Sequence, residues 1–192
     1  MLNHQFAIAP LSILIFFTSS CLVAGQVERS GSCRNDISLV SSVDSSTFQG
    51  IWHMHSRYTF NPDKGYRCQK TQYTAISDNL YEVKDFKISN ANNCVKVKAA
   101  TIKSLPDGRI QVRGDEPGAQ AVYYNILTYC NDYFIGYICQ NLAGSKYKEF
   151  LWINTRHPTP PDNVKNAYIK DLEDQGISTS EIEWMNHRDC NY

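Results

Sequence analysis

Residues 51 to 156 divide into eight short segments rich in β-branched and aromatic side chains, each closed by a cluster of turn-forming residues. The spacing predicts strands over 51–60, 68–76, 80–88, 94–103, 109–113, 121–128, 133–140 and 149–156. The breaks include Asn61-Pro62-Asp63-Lys64-Gly65, Ser77-Asp78-Asn79, Pro106-Asp107-Gly108, Asn131-Asp132 and Ala143-Gly144-Ser145. So many strands, joined by short turns and without internal repeats, predict an all-β fold, either an up-and-down antiparallel barrel or a sandwich. Alternation in the first strand favours the barrel. Trp52, Met54, Ser56, Tyr58 and Phe60 share one face, and His53, His55, Arg57 and Thr59 share the other. One apolar face and one wet face are what a closed barrel requires.

A single helix is expected after the strands. Thr159 is placed to cap it, Pro160 or Pro161 to begin it, Asp162 lies in its first turn and Gly176 ends it. Val164, Ala167, Tyr168 and Leu172 form one stripe, so the helix is expected to pack outside the barrel. Residues 30–46 read as a polar, turn-rich entry segment.

Residues 1–25 contain no Asp, Glu, Lys or Arg, and an apolar core is followed by small residues ending in Val23-Ala24-Gly25. This pattern predicts a secretory signal cut near Gly25, leaving 26–192 as one extracellular domain. No later stretch resembles a membrane span. Lys plus Arg equals Asp plus Glu at 19 each, and no basic stripe points to nucleic acid. Beyond Cys21, six cysteines remain: Cys33, Cys68, Cys94, Cys130, Cys139 and Cys190. An even number in a secreted chain implies disulfides. No Cys/His cluster has zinc spacing, so no metal site is expected. His53 and His55 lie two apart on one strand, but they read as solvent-facing rather than as ligands. Lys84, Lys87, Lys96, Lys98 and Lys103 read as a cationic scatter on outer strand faces.

Two further elements carry a resemblance. Phe48-Gln49-Gly50-Ile51-Trp52 resembles the Gly-x-Trp signature of lipocalins, and Arg156 resembles the family arginine that lies across that tryptophan. A guanidinium stacked on the indole would close the barrel floor. Tyr124-Asn125-Ile126-Leu127-Thr128 and Tyr133-Phe134-Ile135-Gly136-Tyr137-Ile138-Cys139 resemble two strands of insect bilin-binding proteins and apolipoprotein D-like lipocalins. The turn Thr128-Tyr129-Cys130-Asn131-Asp132-Tyr133 departs from the family's pattern, being shortened and carrying a cysteine. The resemblance implies an eight-stranded lipocalin barrel with one C-terminal helix outside it. It also implies disulfides Cys33–Cys139 and Cys68–Cys190. Elimination would then pair Cys94 with Cys130, yet the strand map places them toward opposite ends of the barrel. Either they pair, or one is a free thiol or bonds another chain.

Aligned to the family pattern, alternation points Met54, Tyr58, Tyr73, Tyr81, Val83, Val97, Ile110, Val112, Tyr124, Ile126, Phe134, Phe150 and Trp152 inward. Gly50, Trp52 and Arg156 form the floor signature, with Trp52 a core residue. Such walls suit a small hydrophobic ligand: a tetrapyrrole, carotenoid or other isoprenoid, fatty acid or pheromone-like volatile. The expected function is extracellular carriage of that molecule. A bilin is one candidate, no cofactor is required and a homo-oligomer is compatible with the sequence. The alternative is a salivary-type secreted effector whose loops bind proteins or sequester mediators. No catalytic arrangement is evident, because Cys130, the thiol a lipocalin isomerase would use, falls at a turn.

Overall fold

The computed structural model describes residues 26–59 and 64–192. The signal assigned to 1–25, and Phe60 with Asn61-Pro62-Asp63 of the first turn, lie outside the described residues. The eight expected strands are all present: β2 (Gly50–Tyr58), β3 (Tyr66–Ser77), β4 (Leu80–Ser89), β5 (Val95–Ser104), β6 (Ile110–Gly114), β7 (Val122–Tyr129), β8 (Tyr133–Leu142) and β9 (Lys146–Thr155). Each pairs antiparallel with the next, and β9 pairs back onto β2, which closes the barrel. Three elements were not legible in the sequence. They are β1 (Gln26–Ser30), the one-turn helix α1 (Ser45–Phe48) and β10 (Ile182–Trp184). β1 extends the wall along β9, and β10 lies along the second half of β2.

The barrel has a closed end and an open end. At the closed end the entry segment crosses the floor, its Val40 amide donating to the Ile126 carbonyl at 2.8 Å. Here β7 has a bulge between Ile126 and Thr128 that frees that carbonyl from the ladder. The turns at Asp115–Gly118, Asn90–Asn93 and Ala143–Ser145 ring the other end.

Helix α2 (Asp162–Asp174) packs across the outer faces of β7, β8 and β9, as expected. Val164, Tyr168 and Leu172 are its buried residues, against Tyr133, Ile135, Tyr137, Leu151 and Ile153. This second core explains why β8 reads as an almost unbroken apolar run: both of its faces are covered. Two helix details differ from expectation. Thr159 does not cap the helix; Pro161 occupies the N-cap position and no side chain caps it. Ala167 is exposed, and Ile169 packs against the core instead. Gly176 ends the helix as expected, at φ +64°. Its C-terminal carbonyls are held by Arg34, whose Nη1 donates to Gln175 O at 2.7 Å and Gly176 O at 3.2 Å.

Cys33–Cys139 and Cys68–Cys190 are both formed. Cys94 and Cys130 are free thiols, the first exposed beside the mouth turn and the second half-buried beside the floor turn. The pairing left open by elimination is therefore not made, because the barrel's length separates the two residues.

Candidate functional site

The floor is built from aromatic rings. Phe48, delivered by α1, sits under the barrel with its ring 4.8 Å from Tyr73, 5.1 Å from Phe134 and 5.9 Å from Trp52. Trp52 is fully buried, and its Nε1 donates to the Phe48 carbonyl at 2.7 Å. Arg156 closes the arrangement from outside, with its guanidinium 3.6 Å from the indole centroid. It also donates to the carbonyls of Gln49 at 3.0 Å, Ile51 at 3.2 Å and Thr47. Gly50 is required at φ +101°, and a Cβ there would stand 3.3 Å from the same guanidinium. Tyr129 adds its ring to the floor, and its hydroxyl bonds Thr47 Oγ1 at 2.5 Å.

Above the floor the inner wall changes character. Register places Met54, Tyr73, Tyr81, Val83, Ile110, Val112, Tyr124, Ile126, Phe134, Phe150 and Trp152 on the inner side, as alternation predicts. Tyr73 and Tyr124 pair through their hydroxyls, a polar fixture among apolar walls, and burial pushes both phenols well above the usual range. The Tyr124 and Trp152 rings meet edge-on at 5.1 Å. Exposure rises toward the mouth. Phe134 and Ile126 are sealed, whereas Val112, Ile138 and Trp152 on the inner wall are only half-buried.

Two residues of the expected lining face outward. β2 has a bulge between Met54 and Ser56, which shifts the phase of everything after it. Tyr58 therefore lies in the outer core beneath α2, its hydroxyl donating to Ser178 O at 2.7 Å. Arg57 takes the inner side, 5% exposed, opposite Trp152 and within 3.4 Å of Gln69 Oε1. Val97 is 54% exposed on the outer face of β5. The run Val95-Lys96-Val97-Lys98 shows the period but not the phase. Ala100 and Ile102, packed opposite Val83 and Tyr81, put even-numbered residues of β5 inside. Lys96 and Lys98 consequently share the inner side of the mouth with Asp85 and Lys87, which corrects their reading as outer-face cations; Lys84 and Lys103 are outside as expected.

His53 and His55 are also placed differently from expectation. Neither faces open solvent; His55 is only 8% exposed, covered by Trp184 at 5.3 Å and Tyr168 at 6.1 Å. Among the described residues no group of three His, Cys, Asp or Glu side chains could hold a metal ion.

A family model described as a lipocalin-like domain matches residues 43–187. The chain belongs to the lipocalin family. Mouse (Mus musculus) apolipoprotein D is 23% identical over 151 residues, covering 77% of this chain and 78% of that protein. Insecticyanin from the tobacco hornworm Manduca sexta shares the fold at a TM-score of 0.75 and 18% identity, covering 88% of this chain and 94% of that one. H1 crustacyanin from the lobster Homarus americanus aligns at a TM-score of 0.67 and 13% identity, over 82% of this chain and 89% of that one.

Sequence reasoning missed several residues that shape the interior of this lipocalin. Phe48 was visible only as part of the Gly-x-Trp stretch, and Arg57, Gln69, Thr71 and Asp85 form an inner polar layer with no signal in alternation. Thr71 Oγ1 donates to Asp85 Oδ1 at 3.0 Å within that layer. Gly136 is the most specific of them. It stands opposite Trp152 in the ladder, and a Cβ there would fall inside the indole. Only glycine lets that ring lie flat across β8. Gly136→Ala is expected to expel the Trp152 ring, at a cost of about 1–3 kcal/mol for overpacking. The near-ultraviolet dichroism of the Tyr124–Trp152 pair should change sharply while the far-ultraviolet β signal holds. An unaltered aromatic spectrum would contradict this role for the glycine.

Proposed function

We propose that this lipocalin is a secreted carrier of a small hydrophobic molecule, held in the upper half of its barrel. The observation that carries the reading is the gradient inside the barrel. A floor sealed by Phe48, Trp52 and Phe134 gives way to apolar walls that stay partly accessible at Val112, Ile138 and Trp152. A fully buried floor beneath an upper wall whose apolar side chains stay partly accessible is the arrangement that gains most from an apolar guest, at roughly 25 cal/mol per Å² buried. Two disulfides fit an oxidising compartment, and the leader-like residues 1–25 fit export into one.

The inner mouth narrows the ligand class. Arg57, Lys87, Lys96 and Lys98 share that side with one strand carboxylate, Asp85. The excess of positive charge favours an apolar molecule bearing acidic groups, such as a tetrapyrrole or a fatty acid, over a neutral carotenoid or volatile. Titration with biliverdin, palmitate and β-carotene tests this, read as quenching of Trp152. The two acids should bind at least tenfold more tightly than the hydrocarbon. Replacing Tyr124 and Phe150 together by arginine should abolish uptake while secretion and the far-ultraviolet spectrum persist. Unchanged affinity in that double variant would refute the assignment of the cavity. Native mass spectrometry of protein from its own source would identify the cargo.

A further inference from the structure

The four histidines of the described chain converge on one place, the outer face of β2 where residues 182–192 cross it. This strap fills a seam in the barrel wall. β2 pairs with β3 only from Gly50 to His53; beyond that, β10 pairs with Ser56, Arg57 and Tyr58. Met185 N donates to His55 O at 2.9 Å, and Cys68 N on β3 donates to Asn186 O at 2.8 Å. The strap thus bridges β2 and β3 where they no longer meet. Its far end is fixed twice, by the Cys68–Cys190 disulfide and by the Tyr192 ring beneath the Lys70 ammonium at 3.4 Å.

Its near end rests on imidazoles. His187 Nε2 bonds Met54 O at 2.9 Å, and its ring stands 5.7 Å from that of His53. Trp184 caps His55. The buried His53 Nδ1 and His187 Nδ1 reach no hydrogen-bond partner, and His55 has only the Pro158 carbonyl beside its ring. An imidazolium donates through both nitrogens, so each ring can stay in place only while neutral. The surroundings offer little to offset a positive charge. His53 faces Lys70 from β3, His157 from the segment before α2, and His187 from the strap. His55 faces Lys165 and Tyr168 from α2 and His187 from the strap, with the Pro158 carbonyl as the acceptor that favours its charged form. Glu183 of the strap pairs opposite Arg57, one residue out of phase with Trp184 and so on the other side of β10.

We propose that the strap is an acid-released latch: protonation of the histidines beneath it frees residues 182–187 from β2, while the Cys68–Cys190 tether keeps the freed segment attached. Desolvation holds His53 and His55 down to about 4 from an ordinary 6.5, aided at His53 by neighbouring basic groups and partly offset at His55 by the Pro158 carbonyl, and His187 is lowered as well. The open strap therefore binds more protons than the closed one. Closure is fully favoured above pH 6.5 and is lost progressively as pH falls toward 4, by at most about tenfold per histidine per pH unit. Opening would part the wall beside Met54 and Arg57; any effect on cargo rests on the carriage reading, but the latch is tested on protein without ligand.

Hydrogen exchange of the full chain, corrected for intrinsic rates, should show protection of Ile182 to Asn186 falling by at least tenfold between pH 7.5 and 5. Protection of β8 and β9 should not change. The variant His53→Gln/His55→Phe should cut most of that fall, leaving the part due to His187, and His187→Gln, which keeps a donor for Met54 O, should reduce it. Strap protection indifferent to pH in the native chain would overturn the latch, as would an undiminished fall in His187→Gln or in a folded double variant.

Discussion

Trp52→Ala is expected to lower unfolding stability by about 3–5 kcal/mol, the range for truncating a buried tryptophan. The side chain is wholly buried and stands at the junction of three interactions. Its ring packs on Phe48 and Phe134, its Nε1 satisfies the Phe48 carbonyl, and its outer face carries the Arg156 guanidinium. Removal leaves a cavity in the buried floor of the barrel, and it strips Arg156 of the aromatic face that offsets its partial burial. Against a typical domain stability of about 5–15 kcal/mol, that is a large fraction of the total. Urea unfolding followed by far-ultraviolet dichroism gives the number directly. A loss under about 1 kcal/mol would mean that the floor is not the keystone described above.

Replacing Cys33 and Cys139 together by serine should cost a similar amount, about 4 kcal/mol. The bond closes a loop of 106 residues in sequence, and the chain-entropy account of cross-linking grows with loop length. Here the bond also holds the entry segment against β8. Arg34, one residue on, caps the C-terminal carbonyls of α2, so its loss should loosen the helix as well as the denatured-state constraint. The unfolding midpoint should fall in the double-serine variant, and reduction should have no further effect on this bond. If the midpoint moved by less than the equivalent of about 1 kcal/mol, the stabilisation would have to reside in the non-covalent packing of the entry segment. Cys68→Ser with Cys190→Ser should match this loss and also free the outer end of the strap.

Much of the barrel was legible because its information is local. Turn formers such as Pro106-Asp107-Gly108 and Asn131-Asp132 mark strand ends within a few residues. The floor signature needed only Gly50, Trp52 and Arg156, and the tertiary structure sets the Arg156 guanidinium 3.6 Å from the Trp52 ring centroid. Tyr58 and Val97 depart from the alternation for two different reasons. A bulge breaks the period in β2, so Tyr58 no longer shares the face of Met54, whereas in β5 the period holds but does not say which face is inside.

Read alone, the chain determined the order of the eight barrel strands, the outer helix, two disulfides through family likeness, and the aromatic character of the interior. These follow from backbone propensities and from spacings short enough to survive without a fold. Tertiary structure decided the phase of each strand. A bulge at His55 turned Arg57 inward and Tyr58 outward, and the packing of Ala100 and Ile102 set β5. It also decided that His53 and His55 of β2 meet His187 of the strap, because the two segments lie more than a hundred residues apart in sequence and only the tertiary fold brings them together.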